Sequence, residues 1–104
     1  MDTPYDCMLT IAVPVALEEE LLDCLLAQAQ WVRGFSVLHA EGFGAGARLG
    51  SALENVRGRA HRRLVTILMV RPDIPPVLEA LRQQFSSPEI AWWTSPVDGF
   101  GRLA

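Results

Sequence analysis

Lysine is absent from this 104-residue chain, and every one of its nine basic residues is an arginine. That usage by itself identifies no partner, because a GC-rich genome produces it too. Cysteine is scarce: Cys7 and Cys24 stand apart, with no CxxC pair and no dense framework. Two reduced, buried thiols are therefore expected rather than a disulfide scaffold or a zinc site. Long apolar runs are missing as well, the longest being about seven residues where a membrane span needs ~20. The opening MDTPYDCML has no basic stretch followed by an apolar one, so a signal peptide is not expected. A cytoplasmic protein without membrane insertion is the expectation. No catalytic signature is present.

What is there is an uneven charge map. Five arginines (Arg48, Arg57, Arg59, Arg62 and Arg63) fall between Phe43 and Arg63, where Glu54 is the only acid. The segment carries +4 while the whole chain is at −3, so the remainder holds −7. Such polarity concerns partners rather than fold. The net acidity argues against general nucleic-acid binding. Half of the residues are apolar, a high share for one small domain, which implies apolar surface buried against other subunits.

Taken in order, Cys7–Val13 alternates Cys7, Leu9, Ile11 and Val13 against Met8, Thr10 and Ala12. Neither face is charged, which predicts a central strand ended by Pro14. Leu17–Gln30 has helical spacing, with Leu17, Leu21, Cys24 and Leu25 on one side and Leu22, Leu26 and Ala29 widening the stripe. Glu18, Glu19 and Glu20 suit the positive end of that helix, and Gly34 marks a stop. Phe35–Glu41 alternates with one wetter face, predicting a strand near an edge. Glycines 42, 44, 46 and 50 then interrupt regular structure, so residues 45–61 read as a mobile loop. Leu64–Val70, apolar on both faces, predicts the second central strand. Asp73 is the expected cap of a second helix whose first turn holds Pro75 and Pro76. Its buried stripe is Ile74, Leu78, Leu81 and Phe85. Glu89–Ser95 predicts a fourth strand with Trp92 and Trp93 on opposite faces.

The order βαββαβ predicts a single α+β domain of the ferredoxin-like class over residues 1–104. Two helices would cover one face of a four-stranded antiparallel sheet. The other face would stay bare, although the central strands are apolar on both sides, so a homo-oligomer is expected.

With that order in hand, GFSVLHAEGFG (34–44) is similar to the second strand and T-loop start of the PII signalling family, whose trimeric relatives include CutA. VRGRAHRRLVTILMV (56–70) resembles the loop's return and third strand. The nearest resemblance is to an uncharacterised family of short PII-like proteins often found beside heavy-metal efflux transporters. It implies a trimer, with a dimer as the second choice, and a regulatory or sensor role rather than an enzyme. It also implies a T-loop-like segment at 45–61 and a protein partner such as a membrane transporter, in heavy-metal homeostasis. Two stretches depart from the nucleotide-binding members: Ala45-Gly46-Ala47 stands where they carry polar and basic residues, and Phe85-Ser86-Ser87-Pro88 replaces their glycine-rich, lysine-containing loop.

Candidate ligand-binding residues are Gly42, Gly44, Arg57, Arg59 and Arg62. Planar guanidinium groups suit a phosphate, a carboxylate or an acidic protein patch, and glycines permit close backbone approach. The alternatives are a solvated basic loop and glycines serving backbone geometry alone. No cofactor is assigned, and a metal ion or a nucleotide stays open. His39 and His61 are the weak metal candidates, chiefly for a CutA-like site shared between subunits. Cys7-Met8-Leu9-Thr10 lacks the second cysteine of the MxCxxC metallochaperone pattern. Acylphosphatase chemistry needs an arginine after the first strand, where Pro14-Val15-Ala16 offers none. RNA-binding relatives of this fold need aromatics on the central strands, which carry none. The enzyme alternative is a small oligomeric ferredoxin-like enzyme of the dimeric α/β-barrel type, with Thr10, His39 and Thr66 supplying polar groups to a pocket.

Overall fold

The computed structural model describes residues 4–43 and 59–104. Six elements follow in order: β1 (Cys7–Pro14), α1 (Glu18–Leu26), β2 (Ser36–Phe43), β3 (Arg59–Met69), α2 (Ile74–Gln84) and β4 (Ala91–Pro96). The strands form one sheet in the order β2-β3-β1-β4, with every neighbouring pair antiparallel. This is the α+β ferredoxin-like arrangement expected. β1 and the Leu64–Met69 part of β3, uncharged on both faces, are central and the wetter β2 is an edge, because only a central strand has to bury both faces.

Parity along the paired strands sorts side chains onto two faces. Cys7, Leu9, Ile11 and Val13 of β1, with Val65, Ile67 and Met69 of β3, are wholly buried together with Leu21 and Leu25 of α1 and Val77 of α2. That is the helix-covered face. The opposite face carries Met8, Thr10 and Ala12 beside Leu64, Thr66 and Leu68, with Leu38 and Trp93 flanking. At its centre Thr10 and Ala12 are buried among their neighbours, whereas Leu38 is 49% and Trp93 45% exposed. Trp92 and Trp93 do fall on opposite faces, paired with Ile11 and Thr10.

Several boundaries differ from expectation. α1 ends at Leu26 rather than Gln30, and a 3-10 turn, Val15–Leu17, leads into it. Leu26 is 64% exposed, so the apolar stripe is narrower than its leucines suggested. The helix stops because Gln28 folds back. Its side-chain amide donates to the Cys24 carbonyl at 3.1 Å, taking up one of the acceptors a helix end leaves open. Asp73 lies in a second 3-10 turn and makes no capping bond. An Ncap side chain accepts from the N–H of the second or third helical residue, and here those are Pro75 and Pro76, which have none. The α2 stripe is Ile74, Val77, Leu78 and Leu81, with Phe85 only partly buried just past the helix. β4 starts at Ala91, two residues later than expected.

The largest revision concerns β3. It begins at Arg59, five residues before the expected start, so residues 59–61 of the expected loop are strand. The remainder, 45–58, lies outside the described residues. Charged side chains are compatible with a strand here because β1 pairs with β3 only as far as Pro14↔Arg62, while β2 continues to Phe43↔Arg59. Beyond that limit β2 and β3 form a two-stranded arm, in which Glu41 and His61 are exposed.

Candidate functional site

The arm gathers what the sequence picked out. On the helix-side face, His39 lies opposite Arg63 and Glu41 opposite His61, and the four border a shallow surface depression. Arg63 Nε donates to Glu18 Oε1 at 2.9 Å, with both side chains about four-fifths buried (18% and 23% exposed). The first turn of α1 is thereby tied to the base of the arm. Glu18, read from sequence as a partner of the helix dipole, is also a partner of this arginine.

On the other face, Arg62 reaches across the end of β1 and its Nη1 donates to the Glu89 carbonyl at 2.9 Å. Its shaft crosses Gly42: a Cβ on that residue would lie 3.2 Å from Arg62 Nε. A side chain there would push the guanidinium away, which accounts for the glycine by close approach rather than by backbone angle. Arg62 thus binds the arm to the segment that leads into β4. Arg59 is the first residue of β3, opposite Phe43. Gly44 and Arg57 lie outside the described residues.

The enzyme trio is not brought together, and the two histidines are. His39 faces the helix side while Thr10 and Thr66 pair on the opposite face, so the polar trio expected of an enzyme pocket is split by the sheet. His39 and His61 share a face, but among the described residues no group of three or more His, Cys, Asp or Glu side chains could hold a metal ion. Cys7 and Cys24 are free and buried.

A second cationic place escaped the sequence reading. At the far end of the sheet, Arg33 and Arg102 line a cleft with Tyr5, Phe35, Ser36 and Phe100. Tyr5 and Phe100 meet edge to face at 4.7 Å between centroids, and the Arg102 guanidinium lies 5.6 Å from the Phe100 ring centre. The tail that carries them is anchored by the Val97 N–H donating to the Asp6 carbonyl. Nothing in the residue spacing joins position 5 to 100. Only the pairing of β1 with β4 does so.

The family model described as "Protein of unknown function (DUF3240)" matches residues 3–104. The chain belongs to the DUF3240 family. No curated protein matches it. Among solved structures, a DUF3240 protein from Shewanella baltica superposes with a TM-score of 0.75 at 16% identity, over 98% of this chain and 100% of that one. CPII, a nitrogen regulatory PII-like protein from Thiomonas intermedia solved with ADP, AMP and bicarbonate, gives 0.68 at 19% identity over 98% of each chain. A putative PII-like signaling protein from Thermus thermophilus gives 0.59 at 23% identity, covering 93% and 91%. At these identities the likeness establishes a PII-like fold for this DUF3240 protein. Among its described residues, no helix is long and apolar enough to cross a membrane.

Proposed function

We propose that this DUF3240 protein is a PII-like regulator and not an enzyme: it binds a small anionic ligand at the base of its β2–β3 arm and presents the basic segment 45–58 to a protein partner. The observation that carries this reading is the arm. β2 and β3 stay paired beyond the end of β1, and the Arg63–Glu18 and Arg62–Glu89 bonds fix its base on both faces. Arg59, Arg62 and Arg63 lie in its second strand, and Arg48 and Arg57 belong to the sequence that joins its two strands. A rigid base that holds a concentrated positive charge suits recognition of phosphate or carboxylate oxygens. CPII, similar in fold, was solved with ADP, AMP and bicarbonate, and these anions are the first ligands to test.

The protein works as a homo-oligomer, a trimer before a dimer, with the exposed Leu38 and Trp93 covered by neighbouring copies. We place it in the cytoplasm, acting on a membrane transporter in heavy-metal homeostasis, a process that rests on the family resemblance alone. In this reading the transporter carries the metal.

Calorimetric titration of the purified protein with ADP, AMP and bicarbonate tests the ligand. Saturable binding of at least one, weakened as salt rises, is the expected result. Absence of binding by all three at millimolar concentration would remove the anion from the account.

A further inference from the structure

We propose that the cleft between α2 and β4 binds one small carboxylic acid with an aromatic or short aliphatic body. This site lies on the helix side of the sheet and does not depend on the ligand of the arm.

The cleft exists because β4 is a six-residue edge strand that the helices do not cover; nearly all of its residues are exposed. Trp92 sits on the helix-side face, opposite the fully buried Ile11, yet it is 46% exposed. Between its ring and the end of α2 lies an open-sided cavity of about 160 Å³. Its floor is Ile11 and Leu21, and its walls include Leu81, Phe85 and Trp92. Water against such walls is at a disadvantage, and an apolar body of matching size displaces it. The chain from Phe85 to Ile90 borders one side, leaving room for a ring and a short substituent rather than for a strand or helix.

Two polar groups on this lining select the acid. Arg82 is its only charged residue. The nearest carboxylate, Glu79, is 3.9 Å away, and both side chains are 62% exposed. That pair is too loose and too wet to saturate a five-donor guanidinium. Ser87 Oγ already accepts the Glu89 N–H at 3.1 Å, so its hydroxyl proton is left to donate to another acceptor. An apolar cavity with a guanidinium and a hydroxyl donor at its edge is complementary to a carboxylate on an apolar body.

The probe is 3-phenylpropanoate, with the neutral 3-phenylpropanol as its control. Titrations follow Trp92 emission in a Trp31→Phe, Trp93→Phe background and, in the unaltered protein, the melting temperature, which rises for a ligand bound only by the folded state. Saturable binding of one acid per chain is expected, with the alcohol weaker by about tenfold. Arg82→Glu should remove that preference. Ser87→Phe, which fills the cavity from its edge without altering the core, should abolish binding of both probes while the melting temperature of the free protein holds. No saturable binding by the unaltered protein would overturn the proposal, as would equal binding by the Ser87→Phe variant or an acid no tighter than the alcohol.

Discussion

The two halves of β3 make different demands on the same backbone. From Leu64 to Met69 the strand is paired with β1 throughout and with β2 as far as Thr66, and Val65, Ile67 and Met69 have no exposed surface. From Arg59 to His61 it is paired on one side only, with β2. Arg62 and Arg63 stand at the boundary, where β1 ends. The first half is held by burial and tolerates no change of volume. The second is held by its backbone pairing with β2, with the ties of Arg62 and Arg63 at its base. In the function proposed, the same division separates stability from ligand binding.

Substitutions should expose that contrast. Ile67→Ala in the buried half removes methyl groups from a packed core and should cost about 2–5 kcal/mol, read as a lower denaturant midpoint. His61→Ala in the arm, at an exposed position, should stay within about 0.5 kcal/mol of the parent. A loss at His61 comparable to that at Ile67 would make the arm part of the scaffold.

Next in size is Gly42→Val, which places atoms against Arg62 Nε. Loss of the Arg62–Glu89 bond should cost about 1 kcal/mol and weaken anion binding at the arm. Unaltered binding with the Arg62 contact demonstrably broken would show that the tie has no part in holding the site.

How much of this was legible in the chain follows the same line. The central strands could be read because burial on two faces forces uncharged, mostly apolar residues at successive positions, as Leu9, Thr10, Ile11 and Ala12 illustrate. The arm was partly misread: Arg59, Ala60 and His61 look like loop by composition, and only the register with Phe43, Gly42 and Glu41 makes them strand. The end of α1 was hidden for a different reason. Gln28 reads as an ordinary helical residue, but its amide closes the helix on Cys24. At the sites, the importance of Gly42 was visible in sequence, although its reason, the crossing Arg62 side chain, was not. The Arg33–Arg102 cleft was invisible because it joins residues from the two ends of the chain. The trio of Thr10, His39 and Thr66 failed on parity: position 39 lies an odd number of residues from Ser36, the partner of Thr66, and so faces the other way.

The smallest expected effect is at Glu18. Its bond to Arg63 is partly buried, and Glu18→Gln keeps the shape while removing the charge. A loss of about 1 kcal/mol or less is expected, with reduced sensitivity of stability to salt. A larger loss would mean that the arm leans on α1 more than its pairing with β2 implies.

The central claim is that the arm and its basic segment bind anions without holding up the fold. The measurement that addresses it most directly is ADP titration of the parent and the Arg57→Ala, Arg59→Ala double variant, at low and high salt, alongside their melting temperatures. The account predicts weaker binding and a shallower salt dependence in the variant, with the melting temperature and subunit number unchanged. Equal affinity at both salt concentrations would contradict it, and so would a variant that loses binding only because it unfolds.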